Sequence, residues 1–383
     1  MHQAFTPSQL LYPIYFPFMI LILSTSKYES TTEEAIRWLM YYQANWKRIN
    51  GYDLQNEPIS AQLDSFRLAD NELSSTQFPV IWYRRWNEYD LFDEAVLEIT
   101  SIRNKGEVRR HLREEFTTLS RWLWHRLRPS FWLTDPTQID VNKLVVLDIA
   151  RQSDLAAPVT MVFTRKTDLM QVMEHYGALI TKAMGNGLDL DSLDGKVHYT
   201  LYTEEVRPEH LDDLPDTFAP TLFQQKIDKA YEIRIFYLDG HCYAMAIFSQ
   251  RNAQTSVDFR HYDKQVPNRN VPYTLPKDVE RKIRTLMKHL GLNRGSIDLM
   301  VEKGTKVHYF LEVNPVGQFG MVSAPCNYYL EKKVAVWLMA KHRLYENQKH
   351  IIQSSADALE TSPELRISDN MFFPGCHQNS KPA

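Results

Sequence analysis

At 383 residues, with 44% apolar and 24% charged side chains, the chain is long enough for two or three packed subdomains and has the composition of an ordinary globular protein. A formal net charge of -3 gives no basic surplus of the kind that marks nucleic-acid binding. Cys242, Cys326 and Cys376 are far apart and form no CxxC pair, which argues against a disulfide framework or a zinc site and fits a reducing cytoplasm.

The apolar run LLYPIYFPFMILIL, Leu10–Leu23, contains Pro13 and Pro17 and has no basic region before it; it is too short to cross a bilayer. Its second half, Phe18–Leu23, predicts a buried first strand, with Met19 an alternative start and residues 1–18 an extension. Thr31 followed by Glu34 makes a capping-box signal ahead of the helical pattern of Ile36, Leu39 and Met40. Phe78–Tyr83 predicts another buried strand that ends in Arg84-Arg85, and Glu107–Leu127 predicts a long helix carrying Trp122 and Trp124. Together these predict a small α/β unit over residues 18–130, closed by the proline-interrupted Arg128–Thr137.

A second unit, residues 131–220, reads as a helix over Val141–Ala150, a strand over PVTMVFT, a helix over Thr167–Tyr176 stopped by Gly177, and a strand Leu179–Lys182. From Asp189 to about Ala219 the chain is polar and reads as a surface hairpin and loop. A third unit, residues 221–345, opens with strands at Phe223–Ile227 and Glu232–Leu238, and Asp239-Gly240 turns the chain into His241–Phe248. An amphipathic helix over Pro276–Leu290 stops at Gly291, strands Ser296–Val301 and Val307–Asn314 pair across Lys303-Gly304-Thr305, and Tyr328–Lys341 is a further helix. Beyond about Gln348 the Ser-, Asp-, Glu- and Pro-rich tail, residues 346–383, reads as poorly ordered.

The chemistry concentrates in YFLEVNPVGQFG, Tyr309–Gly320. Strand alternation predicts Tyr309, Leu311 and Val313 toward a core and Phe310, Glu312 and Asn314 on the opposite face. Asp298 lies on the preceding strand, so a hairpin brings it beside Glu312 and Asn314 as three oxygen ligands suited to a hard cation. A wetted polar face is the plainer alternative, but Asp298 sits within SIDLM and Glu312 within YFLEV, apolar settings where a carboxylate needs a partner or a cation. Arg234 alternates with Ile233 and Ile235 and shares a face with Glu232, so it either pairs with that acid or holds an anionic ligand. Lys182 ends a strand ahead of the Met184–Gly187 loop, whose amides could approach phosphate, although such lysines commonly reach out to solvent. Neither GxxxxGK[ST] nor GxGxxG occurs.

Taken in order, Lys143 in NKL, the PVT strand, Lys182 in LITK, Gln224–Ile227 followed by EIR, then SQ, DFR, SIDL and FLEVNPVGQFG resemble the ATP-grasp ligases over roughly residues 18–345. VIWYRR at Val80–Arg85, Asp258-Phe259-Arg260 and MVSAPCNYYLEKK at Met321–Lys333 look more narrowly like the graspetide synthetases of the grasp-with-spasm subgroup. The resemblance implies an α/β (α+β) ATP-grasp fold with an N-terminal pre-ATP-grasp domain, a central domain and a C-terminal antiparallel-sheet domain. It departs from the commoner acidic hinge, since Gln224 and Gln225 stand where many ATP-grasp enzymes carry glutamate.

The same resemblance implies that Lys143 and Lys182 contact nucleotide phosphates, that Gln224, Gln225, Lys226 and Ile227 form the adenine hinge, and that Glu232 takes the ribose. It implies that Arg234 and Arg260 hold the γ-phosphate or the substrate carboxylate, and that Asp298, Glu312 and Asn314 carry two magnesium ions. The implied activity activates Asp or Glu side chains of a ribosomal precursor peptide with ATP as acylphosphates. Thr or Ser hydroxyls, or Lys amines, then close ω-ester or ω-amide rings. The implied partner is that peptide, a leader followed by a core rich in Thr, Ser, Glu and Asp, with no nucleic acid and no membrane involved and a homodimer compatible with the reading. Two rivals remain: a carboxylate-amine ligase that adds an amino acid to a small acid or a protein tail, and a nucleotide-binding scaffold without catalysis.

Overall fold

The computed structural model describes residues 18–25, 29–86, 104–185, 187, 189–191, 198–200, 203–249 and 268–361. In ILILS, β1 (Ile20–Ser24), all five side chains are buried. A strand covered on both faces needs a continuous apolar run, and this one is the centre of a parallel sheet. β2 (Trp46–Asn50) pairs with one side of β1 and β6 (Val80–Tyr83) with the other, and β7 (Phe131–Leu133) extends the sheet beyond β6. The order β2-β1-β6-β7 means that the chain leaves β1 in one direction and returns on its other side.

α1 (Ser30–Tyr41) covers one face and α3 (Lys105–Arg126) the other; α2 (Gly51–Asn56) and a small sheet of β3 (Ile59–Gln62), β4 (Ser65–Leu68) and β5 (Asn71–Glu72) complete the unit. The predicted capping box at Thr31 does not form. The helix begins at Ser30 behind Glu29, and Thr31 lies inside its first turn, buried against Arg84. The segment expected to interrupt the pattern at Arg128–Thr137 contains β7 instead, because FWL finds an open edge beside β6.

α4 (Lys143–Gln152) is capped by the Asn142 side chain, which accepts from the amides of Leu144 and Val145 at 3.0 and 3.2 Å. Next come β8 (Thr160–Arg165), α5 (Lys166–Tyr176) and β9 (Leu179–Thr181), with Gly177 at φ 72 reversing the chain between the last two. β10 (Asp189–Asp191) and β11 (His198–Thr200) form the hairpin expected in this stretch. β12 (Glu204–Val206), α6 (Pro208–Asp212) and β13 (Thr217–Gln225) follow, and the strands join in the order β12-β9-β13-β8.

The last unit is an antiparallel sheet of β14 (Lys229–Leu238), β15 (His241–Phe248), β16 (Arg269–Tyr273), β17 (Arg294–Glu302) and β18 (His308–Asn314), ordered β16-β15-β14-β17-β18. α4 and α7 (Lys277–His289) cover one face through Val146, Leu147, Ala150, Ile283, Leu286 and Met287 packed on Ile233, Ile235, Ile297, Leu299 and Phe310. α8 (Gly320–Cys326) and α9 (Leu330–Thr361) help cover Phe236, Leu238, Met245 and Ile247 on the other face. α9 runs on to Thr361, through the part of the tail expected to lose order. Among the described residues no helix is long and apolar enough to cross a membrane.

Candidate active site

The face of the last sheet that carries Phe236 and Leu238 turns polar farther along β14, where Arg234 and Glu232 occupy the same alternation. Arg234 pairs in register with Asp298 on β17, and Asp298 with Glu312 on β18. One step along, Ser296 pairs with Asn314. The three predicted oxygen donors therefore share one face of two adjacent strands.

Alternation fails at one position. Between the Asp298–Glu312 and Leu299–Phe310 pairs the register shifts, so Leu311 is an extra residue on β18. The bulge changes the phase of the strand, and Phe310, expected beside Glu312, is instead fully buried with Val313 in the core. Glu312 and Asn314 keep the predicted face because they lie beyond the bulge.

Asp298 is 9% exposed and accepts from Arg234 Nη1, so the arginine pairs with the neighbouring strand's carboxylate and not with Glu232. Glu232, 5% exposed, pairs with Lys229 and accepts from Ser249 Oγ at 3.4 Å. Lys229 has no sequence signal, since residues three apart on a regular strand point to opposite faces. A register shift between Lys229 and Tyr231 removes that restriction.

Lys143 Nζ donates to the carbonyls of Ala183 at 3.2 Å and Gly185 at 2.8 Å, which ties the first turn of α4 to the loop that begins with Lys182. That loop leaves β9 beside β13, where Thr181 pairs with Phe223 and Ile180 with Gln224. Gln224 is fully buried; its Nε2 donates to Thr160 Oγ1 at 2.8 Å, while its Oε1 has no partner among the described residues. The Gln225 amide donates to Val159 O at 2.9 Å, Lys226 pairs with Glu205 at 2.6 Å, and Ile227 is buried. The chain thus assembles two clusters, one around Lys143, Lys182 and Gln224–Ile227, the other around Arg234, Asp298, Glu312 and Asn314. Arg260 and the DFR motif lie outside the described residues.

A third cluster joins the VIWYRR and NPVGQFG runs to Arg294, which lies in no sequence motif. Arg84 and Arg294 are both fully buried, and each binds the loop that follows Asn314. Arg294 donates to Pro315 O at 2.9 Å and Gly317 O at 3.1 Å; Arg84 donates to Val316 O and, at 3.0 Å, to Gln318 Oε1. Both guanidinium groups lie over the Phe319 ring, at 5.6 Å from Arg84 and 5.2 Å from Arg294. Glu29 is the carboxylate of this group, 3.1 Å from Arg84 Nε and 2.9 Å from Arg85 Nε. Burial, with the neighbouring Arg85 charge, lowers the Arg84 pKa to about 10 against the pull of Glu29, and burial beside Arg84 lowers that of Arg294. Arginines usually advertise surface, so nothing in the sequence marks the burial of Arg294, and VIWYRR marks Arg84 without its partners.

No protein-family model matches the chain, and no curated protein matches its sequence. Solved structures do match. The macrocyclase MdnC of Microcystis aeruginosa MRC, solved with its precursor peptide MdnA, is 24% identical, with a TM-score of 0.69 over 84% of this chain and 100% of that one. An ATP-grasp ligase of Chryseobacterium gregarium associated with ribosomal peptides, solved with ADP and a leader and core peptide, is 22% identical, with a TM-score of 0.70 over 85% and 97%. The ATP-grasp ligase PsnB, solved with a minimal precursor, Mg and ADP, is 15% identical, with a TM-score of 0.66 over 84% and 96%. The chain has the ATP-grasp fold.

Proposed function

We propose that the chain is an ADP-forming ATP-grasp ligase that crosslinks the side chains of a ribosomal precursor peptide. The observation that carries this reading is the in-register set of Arg234, Asp298, Glu312 and Asn314 on one sheet face, within a fold shared with MdnC, PsnB and the Chryseobacterium ligase over 84–85% of this chain.

The donor set fits magnesium: two carboxylates and an amide oxygen are hard ligands, and this ion completes its shell with water and phosphate oxygens. Asp298, Glu312 and Asn314 would hold two such ions, which would neutralise charge on the nucleotide phosphates. Gln224 fits adenine, because a buried carbonyl oxygen without a partner is matched by an exocyclic amino group. Gln225, Lys226 and Ile227 would continue that edge, Glu232 would meet the ribose, and Lys143 and Lys182 would hold phosphate oxygens.

In the proposed reaction a peptide carboxylate oxygen attacks the γ-phosphorus and ADP leaves, giving an acylphosphate. A Thr or Ser hydroxyl, or a Lys amine, of the same peptide then attacks the acyl carbon. Inorganic phosphate departs and the attacking group loses its proton, so each ring removes the elements of one water. Phosphoryl transfer of this kind needs alignment and charge neutralisation more than a nucleophile on the enzyme. Arg234 supplies positive charge beside the acid face, and Arg260 would supply more. Of the units 18–130, 131–220 and 221–345, the second would contribute the two phosphate lysines and the third the adenine hinge, Glu232 and the acid face.

ADP release, measured with magnesium, ATP and candidate precursor peptides rich in Thr and Glu or Asp, tests this against the amino-acid ligase. Stimulation by such a peptide supports the reading; stimulation by a free amino acid alone overturns it. A cytoplasmic location follows from the need for ATP and for a newly made precursor.

A further inference from the structure

In an open sheet of parallel strands, ligands bind outside the carboxyl ends, at the point where the strand order reverses. Here that point lies between β1 and β6, because the chain leaves β1 toward β2 and returns on the other side as β6. The carboxyl end of β1 is Ser24-Thr25, both buried, and the chain beyond β6 is Arg84-Arg85, held against β1 by the Arg84 amide donating to Leu23 O at 2.8 Å. A ligand crevice at that point would therefore open onto the Glu29 cluster.

That cluster holds an imbalance of charge. Arg84, Arg85 and Arg294 stand against one carboxylate, Glu29, and among the described residues none of the three makes an ion pair with any other acid. Arg84 and Arg294 are fully buried with their donors on the Pro315–Gln318 loop. Arg85 differs. Its side chain is 36% exposed, its Nε forms an ion pair with Glu29 at 2.9 Å without a hydrogen bond to that carboxylate oxygen, and its two terminal nitrogens make no hydrogen bond among the described residues. A guanidinium whose donors are free presents its edge to a planar anion, and a carboxylate fits that edge with two parallel bonds. The loop that Arg84 grips begins right after Asn314, so the crevice and the acid face share one rigid connection.

We propose that Arg85 anchors an acidic side chain of the peptide substrate at this crevice, with Glu29 beside it as an ion-pair partner and Arg84 and Arg294 making the pocket electropositive. The assignment rests on the reading of the substrate as an acidic peptide, and it makes Arg85 a specificity residue of the N-terminal unit, distinct from Arg234 on the acid face.

The first test needs neither nucleotide nor precursor. N-acetylglutamate N-methylamide, at concentrations well above its Kd, should raise the melting temperature of the wild-type chain by about 2 °C or more, and the capped glutamine analogue should not. Arg85→Gln should abolish the shift, while Arg85→Lys, which keeps the charge beside Glu29 but loses the fork, should retain part of it. An equal shift with capped glutamine, an undiminished shift in Arg85→Gln, or no shift in the wild type overturns the proposal. In turnover, Arg85→Gln should raise the peptide KM about tenfold or more, with kcat and the ATP KM near wild type; a loss confined to kcat overturns it. A wild-type chain that binds capped glutamate but dehydrates no precursor would overturn the ligase reading and leave the Arg85 site intact.

Discussion

Asp298 and Glu312 face each other directly across two neighbouring antiparallel strands, and the bulged Leu311 separates that pair from the next, Leu299 with Phe310. The bulge gives the two strands different tasks on either side of it. On one side Phe310 closes the core; on the other, two carboxylates and Asn314 are left on the open face. The two acids differ in surroundings. Asp298 is buried under Arg234, whereas Glu312 is half-buried and makes no ion pair or hydrogen bond among the described residues.

Glu312→Gln should therefore leave the melting temperature within about 1–2 °C of wild type while lowering magnesium-dependent ADP release by about 100-fold or more. Thermal melting and a coupled ADP assay on one preparation check both halves. Near-normal ADP release in the folded variant would remove Glu312 from the metal site.

Arg84→Met should destabilise the fold by about 3–5 kcal/mol, because it deletes a buried cation that holds Glu29, Thr31 and the carbonyl-rich Val316–Gln318 loop. Gly317→Ala should damage the same loop by another route. A Cβ there would stand 2.5 Å from Ser296 Cβ and 3.1 Å from Asn314 O, which the packed backbone cannot admit without moving. Chemical denaturation measures both changes, and an unaltered midpoint for either variant would show that the loop is not held as described.

His308 opens β18 and contacts Tyr273 Oη at 3.0 Å, and burial lowers its pKa from the ordinary 6.5. The sign follows from proton uptake. Below pH 6.5 the unfolded chain binds a proton that folded His308 resists, so its contribution to stability is fully present above that value and falls as the pH drops toward the lowered folded pKa. Melting curves should show a decline below pH 6.5 that is shallower in His308→Gln. An identical slope in both proteins would place the pH dependence elsewhere.

Period and punctuation make most elements legible in the amino-acid sequence. ILIL marks the central strand, Asp239-Gly240 the hairpin, and Gly177 and Gly291 the two helix stops, all borne out by φ angles or pairing. The shared face of Asp298, Glu312 and Asn314 is legible for the same reason, since a hairpin and a period of two suffice to place it. Phe310 and Lys229 are not, because each depends on a bulge, and a bulge is decided by what the neighbouring strand offers, here β17 in both cases. The buried arginines meet a different limit. Arg84 stands in the legible VIWYRR run but finds its loop partners more than 200 residues away, and Arg294, stacked over Phe319, lies in no motif.

The central claim is that this chain condenses groups within one peptide, and the intact mass of the peptide reports it directly. Incubated with ATP, magnesium and its cognate precursor, the chain should lower the peptide's mass by about 18 Da per ring, because acyl activation followed by displacement of phosphate adds no group. Mild alkali should restore that mass for ester rings and leave it unchanged for amides. A gain equal to one amino-acid residue, or an unchanged mass beside normal ATP binding, would contradict the account.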